Sequence, residues 1–127
     1  MIYGAHFLLY SRDADADRRF LQDVVGLSGV DAGGGWMILG LPPAEIAVHP
    51  ATESFAQRHA GHELLGAVVY LMCDDILATI RELDRKGAST TDVQTERWGI
   101  RSTVRLPSGG ELGIYQPTHP TAIRRAV

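Results

Sequence analysis

The sequence predicts an α+β fold, in which two β-α-β-β-β modules pair into one domain with a cupped mixed sheet and the helices outside. The first observation is an internal repeat, because each half of the chain reads as a strand, a helix and three further strands. The second is the matching helix signals: Asp13 precedes Gly26 by 13 residues, and Asp74 precedes Gly87 by the same number. The third is the length, since 127 residues suit a single domain, 1–127.

The first module spans about residues 3–49. Its opening strand covers residues 3–10, which are short, aromatic and compatible with a strand. Asp13 to Val25 reads as a helix, with acidic residues at its start, where the helix dipole favours them, and an apolar stripe on one face. Three short strands follow the helix, at about 27–32, 36–41 and 45–49.

The second module spans about residues 63–117 and repeats this pattern. Its first strand covers 64–73, and its helix opens at Asp74 and Asp75 and ends at Gly87. Three more strands are expected near 89–95, 99–106 and 111–116. Residues 50–62 are predicted to be a linker between the modules, and residues 118–127 a tail.

A helix covers only one face of each predicted sheet, so the other face has to bury itself against something. Pairing the two sheets solves this problem and leaves a cup between them, which is the default place for a ligand. Exposed sheet edges also favour self-association, so the sequence predicts a homodimer.

Composition excludes several classes of function. The net charge is −3 and the sequence contains no five-residue basic cluster, which argues against a nucleic-acid partner or a polybasic membrane surface. The longest apolar run, residues 64–73, is too short to span a bilayer, and residues 1–4 do not resemble a signal peptide. The single cysteine, Cys73, fits a reducing compartment, so a cytoplasmic location is expected. Cys73 has no adjacent base and reads as an inert buried thiol.

Four short motifs occur in order along the repeat: residues 6–13, residues 20–27, Trp98-Gly99 and residues 107–112. Together they resemble the vicinal oxygen chelate superfamily, which includes glyoxalase I, fosfomycin-resistance proteins, extradiol dioxygenases and bleomycin-resistance proteins. The resemblance covers residues 3–117. One departure is Leu106, where the superfamily usually carries Asp before the Pro-x-Gly turn.

In the metalloenzymes of this superfamily a divalent ion sits in the cup, held by His, Glu or Gln from the first and last strands of each half. The resemblance places these positions at His6, Ala47, Ala67 and Gly113, and only His6 carries a donor atom. Because a catalytic ion needs about three protein ligands, the first hypothesis is a metal-free small-molecule binder similar to the bleomycin-resistance branch. No cofactor is expected on this hypothesis.

The second hypothesis is a divalent-metal-dependent enzyme of the glyoxalase or dioxygenase type with relocated ligands. Those ligands would be His6, one of His49 or His62, and Glu45 or Glu111. A third interpretation is a dimeric scaffold whose own side chains, such as those of Tyr10 and Trp36, fill the cup.

The candidate ligand-contacting residues are His6, Tyr10, Trp36, His49, Trp98, Arg101, Glu111 and Tyr115. The aromatic residues could stack on a planar ligand or belong to the core. Arg101 could bind an anionic group or lie on an exposed sheet face, and Glu111 could be a cup carboxylate with a raised pKa or a solvated turn residue. His59, His62 and His119 read as solvated, and no nucleophile with a base at readable spacing is present, so no catalytic residue is assigned.

Overall fold

The computed structural model describes residue 7 and residues 13–34, 37–44 and 56–120. Within these ranges the fold is α+β, as predicted, with two helices and three separate sheets. The helices are α1 (Ala14–Asp23) and α2 (Ile76–Arg85). The strands are β1 (Gly29–Asp31), β2 (Met37–Leu39), β3 (Ala56–His59), β4 (His62–Leu65), β5 (Tyr70–Met72), β6 (Gln94–Glu96), β7 (Gly99–Arg105) and β8 (Glu111–Pro117). The predicted strands at 3–10 and 45–49 lie outside the described residues, and so does the pairing of two complete modules.

Both helices lie inside the ranges that the sequence predicted, and their bounds agree with those ranges to within two residues. The carboxylates of Asp13 and Asp75 each accept a hydrogen bond from the backbone N–H three residues further on, which caps the first turn. Gly26 and Gly87 follow the helices with φ of +87° and +86°, a left-handed conformation that costs glycine little.

The largest sheet has the strand order β5-β8-β7-β6, with β5 parallel to β8 and the other pairs antiparallel. Along the chain its elements follow the order β5, α2, β6, β7, β8. The parallel pairing of β5 with the last strand requires a crossover, which α2 provides.

The hydrophobic core lies between the two helices and one face of this sheet. Its buried side chains come from α1, α2, β7, β8 and the residue that follows β7: Leu21, Ile76, Leu83, Val104, Leu106, Leu112 and Ile114. Asp17 of α1 is also buried, and its carboxylate accepts hydrogen bonds from the backbone N–H and the hydroxyl of Ser108 in the β7–β8 turn. Both helices therefore cover the same face of the sheet.

The structure corrects two predicted elements. The second half of the predicted linker 50–62 is not a plain connection, because β3 and β4 form an antiparallel hairpin closed by Ala60 and Gly61. Both turn residues have positive φ, 52° and 80°, as a two-residue hairpin turn requires. The predicted strand 64–73 is divided, because β4 ends at Leu65 and β5 begins at Tyr70. Within the described ranges, neither helix is long and apolar enough to cross a lipid bilayer.

Candidate functional site

Side-chain alternation along β5, β7 and β8 divides the large sheet into two chemically different faces. Residues such as Val104 and Ile114 point towards the helices. The opposite set includes Tyr70, which pairs with Gly113, and Arg101, which pairs with Tyr115. We call this second surface the aromatic face.

Three aromatic rings meet on the aromatic face: Tyr70 from β5, Trp98 from the β6–β7 turn and Tyr115 from β8. Their centroids are 5.4–5.5 Å apart in all three pairs, with edge-to-face angles of 66–75°. Such pairs contribute about 0.5–1.5 kcal/mol each beyond the area they bury. Tyr115 is 8% exposed and Trp98 is 38% exposed, so the cluster has a buried base and an accessible edge.

Two glycines make room for these rings. A Cβ atom at Gly113 would lie 2.5 Å from Cδ1 of Tyr70, and one at Gly99 would lie 2.8 Å from Cδ2 of Tyr115. The Tyr70 ring therefore occupies the space where a side chain at position 113 would start. Gly113 is also the position where the superfamily resemblance places a metal ligand, and a coordinating side chain does not fit there beside Tyr70.

Residues just after β8 extend the cluster. The Thr118 N–H donates to the carbonyl of Trp98 at 3.1 Å, which holds the segment after β8 against the β6–β7 turn. His119 then stacks on Tyr115, with ring centroids 6.0 Å apart. Because His119 Nδ1 is 2.7 Å from the carbonyl of Pro120, that nitrogen carries hydrogen, and in a neutral imidazole Nε2 accepts from the Tyr115 hydroxyl at 3.1 Å. The sequence prediction of a solvated His119 in a tail was wrong for this residue.

The charged residues of the aromatic face form two ion pairs. Arg101 donates from Nε and Nη2 to one oxygen of Glu96, at 3.1 and 2.9 Å, and both side chains are partly exposed. Glu111 lies 3.6 Å from Arg105 and accepts a hydrogen bond from the Thr103 hydroxyl at 3.2 Å. Arg101 and Glu111, the two predicted polar candidates among the described residues, thus each have a protein partner of opposite charge.

The structure brings together four of the predicted ligand-contacting residues on the aromatic face: Trp98, Arg101, Glu111 and Tyr115. The other four candidates, and two further positions of the metal hypotheses, lie outside the described residues: His6, Tyr10, Trp36, Glu45, Ala47 and His49. Sequence reasoning missed Tyr70, Glu96 and His119 as members of the site. Only the strand pairing shows that Tyr70 lies over Gly113, and no sequence motif signals it.

Among the described residues, no group of three or more His, Cys, Asp or Glu side chains is placed to hold a metal ion. His62 lies on the exposed β3–β4 hairpin, whereas Glu111 lies at the start of β8. Ala67 and Gly113 offer no donor atom. At these two positions the chain therefore supplies no side-chain ligand.

Cys73 lies directly behind the cluster, at the end of β5. Its thiol donates a hydrogen bond to the carbonyl of Tyr115, with Sγ and O 3.3 Å apart. Burial raises the pKa of the thiol, a hydrogen bond with Thr79 lowers it by less, and the charges of Asp74 and Asp75 add to the rise. This environment agrees with an unreactive thiol.

A depression of about 430 Å³ lies on the helix side, between α1, the end of α2 and the end of β7. Phe20 and Val24 form its apolar wall, while the ammonium of Lys86 is engaged by the Val24 carbonyl at 3.3 Å. Lys86, Ser89 and Arg105 supply polar groups there, but Phe20 is the one aromatic ring among its lining residues, whereas three rings meet on the aromatic face. We therefore place the candidate site on the aromatic face.

No protein-family model matches the sequence, and no curated protein sequence matches it significantly. Several solved structures match over nearly the whole chain. TnmS3, an antibiotic binding protein from Streptomyces sp. CB03234, is 18% identical, with a TM-score of 0.61, over 93% of this chain and 98% of that one. Virulence protein STM3117 from Salmonella typhimurium is 22% identical, with a TM-score of 0.59, over 93% and 100%.

A glyoxalase/bleomycin resistance protein from Streptomyces sp. CB03234 also matches, with 16% identity and a TM-score of 0.54, over 90% of this chain and 100% of that one. At identities this low, the comparisons show the fold rather than a shared activity. They confirm the resemblance found in the sequence: the chain has the fold of the glyoxalase/bleomycin-resistance proteins.

Proposed function

We propose that this protein binds a flat aromatic small molecule on the aromatic face and does so without a metal ion. The observation that carries the proposal is the cluster of Tyr70, Trp98 and Tyr115, whose three rings meet at 5.4–5.5 Å on the face opposite the helices. Ligand sites are characteristically apolar and aromatic, with a few polar groups that orient the ligand. The aromatic face has this composition.

Packing inside the cluster lowers the conformational entropy that the rings lose when a ligand binds. Tyr115 is almost fully buried and is held by His119, so its ring is already ordered before a ligand arrives. Trp98 lies beside it and is 38% exposed, so a flat ligand can reach the indole ring and either stack on it or meet it edge-on.

The comparisons support a binding function of this kind. TnmS3 is described as an antibiotic binding protein, and another neighbour as a glyoxalase/bleomycin resistance protein. We infer a small-molecule ligand for this chain by analogy with them.

The chemistry at two superfamily ligand positions supports a metal-free site. Ala67 has no donor, and the Tyr70 ring fills the space beside Gly113. The competing hypothesis, an enzyme whose metal is held by His6, His62 and Glu111, gains no support from the exposed position of His62 on its hairpin. The experiment below has to distinguish this metal-dependent enzyme from a metal-free binding protein.

The test uses untagged protein, elemental analysis and ligand-detected NMR titration with indane, a flat bicyclic hydrocarbon. We expect no stoichiometric divalent metal and saturable binding of indane. Trp98→Ala should weaken this binding about fivefold or more because the accessible indole ring is lost. Leu77→Ala is the matched control, since Leu77 is an exposed apolar residue of α2, on the other side of the sheet.

Two results would overturn the proposal. One is a stoichiometric metal ion that is lost in His6→Ala, which would favour the enzyme hypothesis. The other is indane binding that Trp98→Ala and Leu77→Ala leave equally unchanged, which would place the ligand elsewhere.

A further inference from the structure

Three polar groups, two on the cluster's own residues and one on Arg101, which pairs with Tyr115, have no hydrogen-bond partner in the part of the chain that the structure describes. They are the Tyr70 hydroxyl, the Trp98 indole N–H and Nη1 of Arg101, whose other contacts use only Nε and Nη2. The indole and the guanidinium can only donate, and the tyrosine hydroxyl can donate or accept. The polar rim of the cluster therefore offers mainly donors.

The charges on the same face cancel in pairs. Arg101 is compensated by Glu96, and Arg105 by Glu111. An anionic ligand would gain hydrogen bonds from Arg101 but would also lie beside the Glu96 carboxylate, so the two electrostatic effects oppose each other. A neutral acceptor receives the same hydrogen bonds without that repulsion.

We propose that the preferred ligand of the aromatic face is a neutral planar aromatic compound bearing a carbonyl-type oxygen acceptor. This inference rests on the proposed function, because it assigns a chemical class to the same site. In it, the rings of Tyr70, Trp98 and Tyr115 hold the flat part of the ligand, and Tyr70, Trp98 and Arg101 donate to its oxygen. Glu96 sets the selectivity against carboxylates by neutralising Arg101.

Three probes that share one bicyclic frame separate these contributions: indane, 1-indanone and indane-1-carboxylate. Their affinities are compared by NMR titration, following the indole N–H signal of Trp98 in labelled protein. We expect 1-indanone to bind about 2–10-fold more tightly than indane, which is what one net hydrogen bond supplies. The carboxylate should bind no more tightly than 1-indanone.

Two variants test the donors and the charge compensation. Tyr70→Phe keeps the ring and removes one donor, so the ratio of the affinity for 1-indanone to the affinity for indane should shrink. Glu96→Gln leaves Arg101 uncompensated, so the affinity for the carboxylate should rise about fivefold or more, as expected for a charge-assisted hydrogen bond. Glu82→Gln is the matched control, because Glu82 also pairs with an arginine but lies on α2, on the other side of the sheet. Thermal unfolding shows whether each variant is folded.

The outcomes separate this inference from the proposed function. Failure of all three probes to bind the unaltered protein would overturn both. Saturable binding of indane together with equal affinity for 1-indanone would leave the proposed function intact and overturn the donor assignment. A carboxylate affinity that Glu96→Gln does not change, or that exceeds the affinity for 1-indanone in the unaltered protein, would overturn the neutral-ligand assignment.

Discussion

At the residue scale, the shape of the aromatic face depends on Gly113. Tyr70 lies directly over it, and its ring atoms occupy the place of a Cβ. We expect Gly113→Ala to lower the free energy of unfolding by about 1–3 kcal/mol, because the whole Tyr70 ring must move away from its contacts with Trp98 and Tyr115. Urea denaturation measures this change.

Gly110→Ala is the control for this prediction. A Cβ atom at Gly110 would lie no closer than 3.9 Å to Ser108 Oγ, so a small effect is expected. In a Tyr70→Ala background the cost of Gly113→Ala should largely disappear, since the obstructing ring is gone. An equal loss with and without Tyr70 would show that the steric explanation is wrong.

Cys73 supplies a residue-scale prediction on pH. Burial raises the pKa of its thiol, so the folded protein keeps the proton at pH values where an unfolded chain, with a thiol pKa of about 8.5, begins to lose it. The stability associated with this thiol is therefore fully present below about pH 8.5 and is lost as the pH rises through the higher folded value. Alkylation by iodoacetamide at pH 8 should be at least tenfold slower in the folded protein than in urea, and mass spectrometry measures it. Equal rates would contradict the buried environment.

At the element scale, α1 is fastened to the β7–β8 turn by one buried carboxylate. Asp17 is only 7% exposed and accepts hydrogen bonds from the N–H and the hydroxyl of Ser108 at 3.1 and 2.8 Å. Asp17→Ala should destabilise the protein by about 1–3 kcal/mol, because the half-buried Ser108 donors lose their acceptor. Chemical denaturation measures the effect. Asp15→Ala is the matched control, since Asp15 also lies in the first turn of α1 but is exposed. Equal losses of stability in the two variants would show that the hydrogen bonds between Asp17 and Ser108 do not stabilise the fold.

The helices could be predicted from the sequence because their signals are local. Acidic capping residues, an apolar stripe and a following glycine all lie within one short segment, and the observed bounds agree to within about two residues. The β3–β4 hairpin gave no such signal. The alternation of apolar and polar residues marks a strand with one buried face. The described side chains of this hairpin are exposed, so neither strand has a buried face that would require such a pattern.

The opposite error affected residues 64–73. Their apolar character predicted one unbroken strand, yet β4 ends at Leu65, β5 begins at Tyr70, and Val68 between them is 76% exposed. An apolar run does not by itself indicate a continuous strand. Pairing with neighbouring strands, and not composition alone, decides where a strand begins and ends.

The candidate site was predictable only in part for a related reason. Arg101, Glu111 and Tyr115 share a face by the period of two residues along paired strands, and all three are residues that the sequence singled out. Trp98, also singled out, joins them from the β6–β7 turn through its ring contacts. Tyr70 joins them only through the parallel pairing of β5 with β8, a contact between residues 43 positions apart in the Tyr70–Gly113 pair. Long-range pairing of this kind leaves no local pattern.

At the scale of the whole molecule, one sheet separates two environments. One face carries the core and both helices, and the other carries the rings and the paired charges. The expected homodimer and the cup between two complete modules stay predictions.

The central claim is that the aromatic face binds an aromatic molecule without a metal. Its most direct test is a titration of chelator-treated, untagged protein with 1-indanone, following the indole N–H signal of Trp98, which is assigned with Trp98→Phe. We predict a saturable shift of that signal with the same affinity before and after chelator treatment. Absence of a shift, or a shift that appears only when a divalent metal is added back, would contradict the claim.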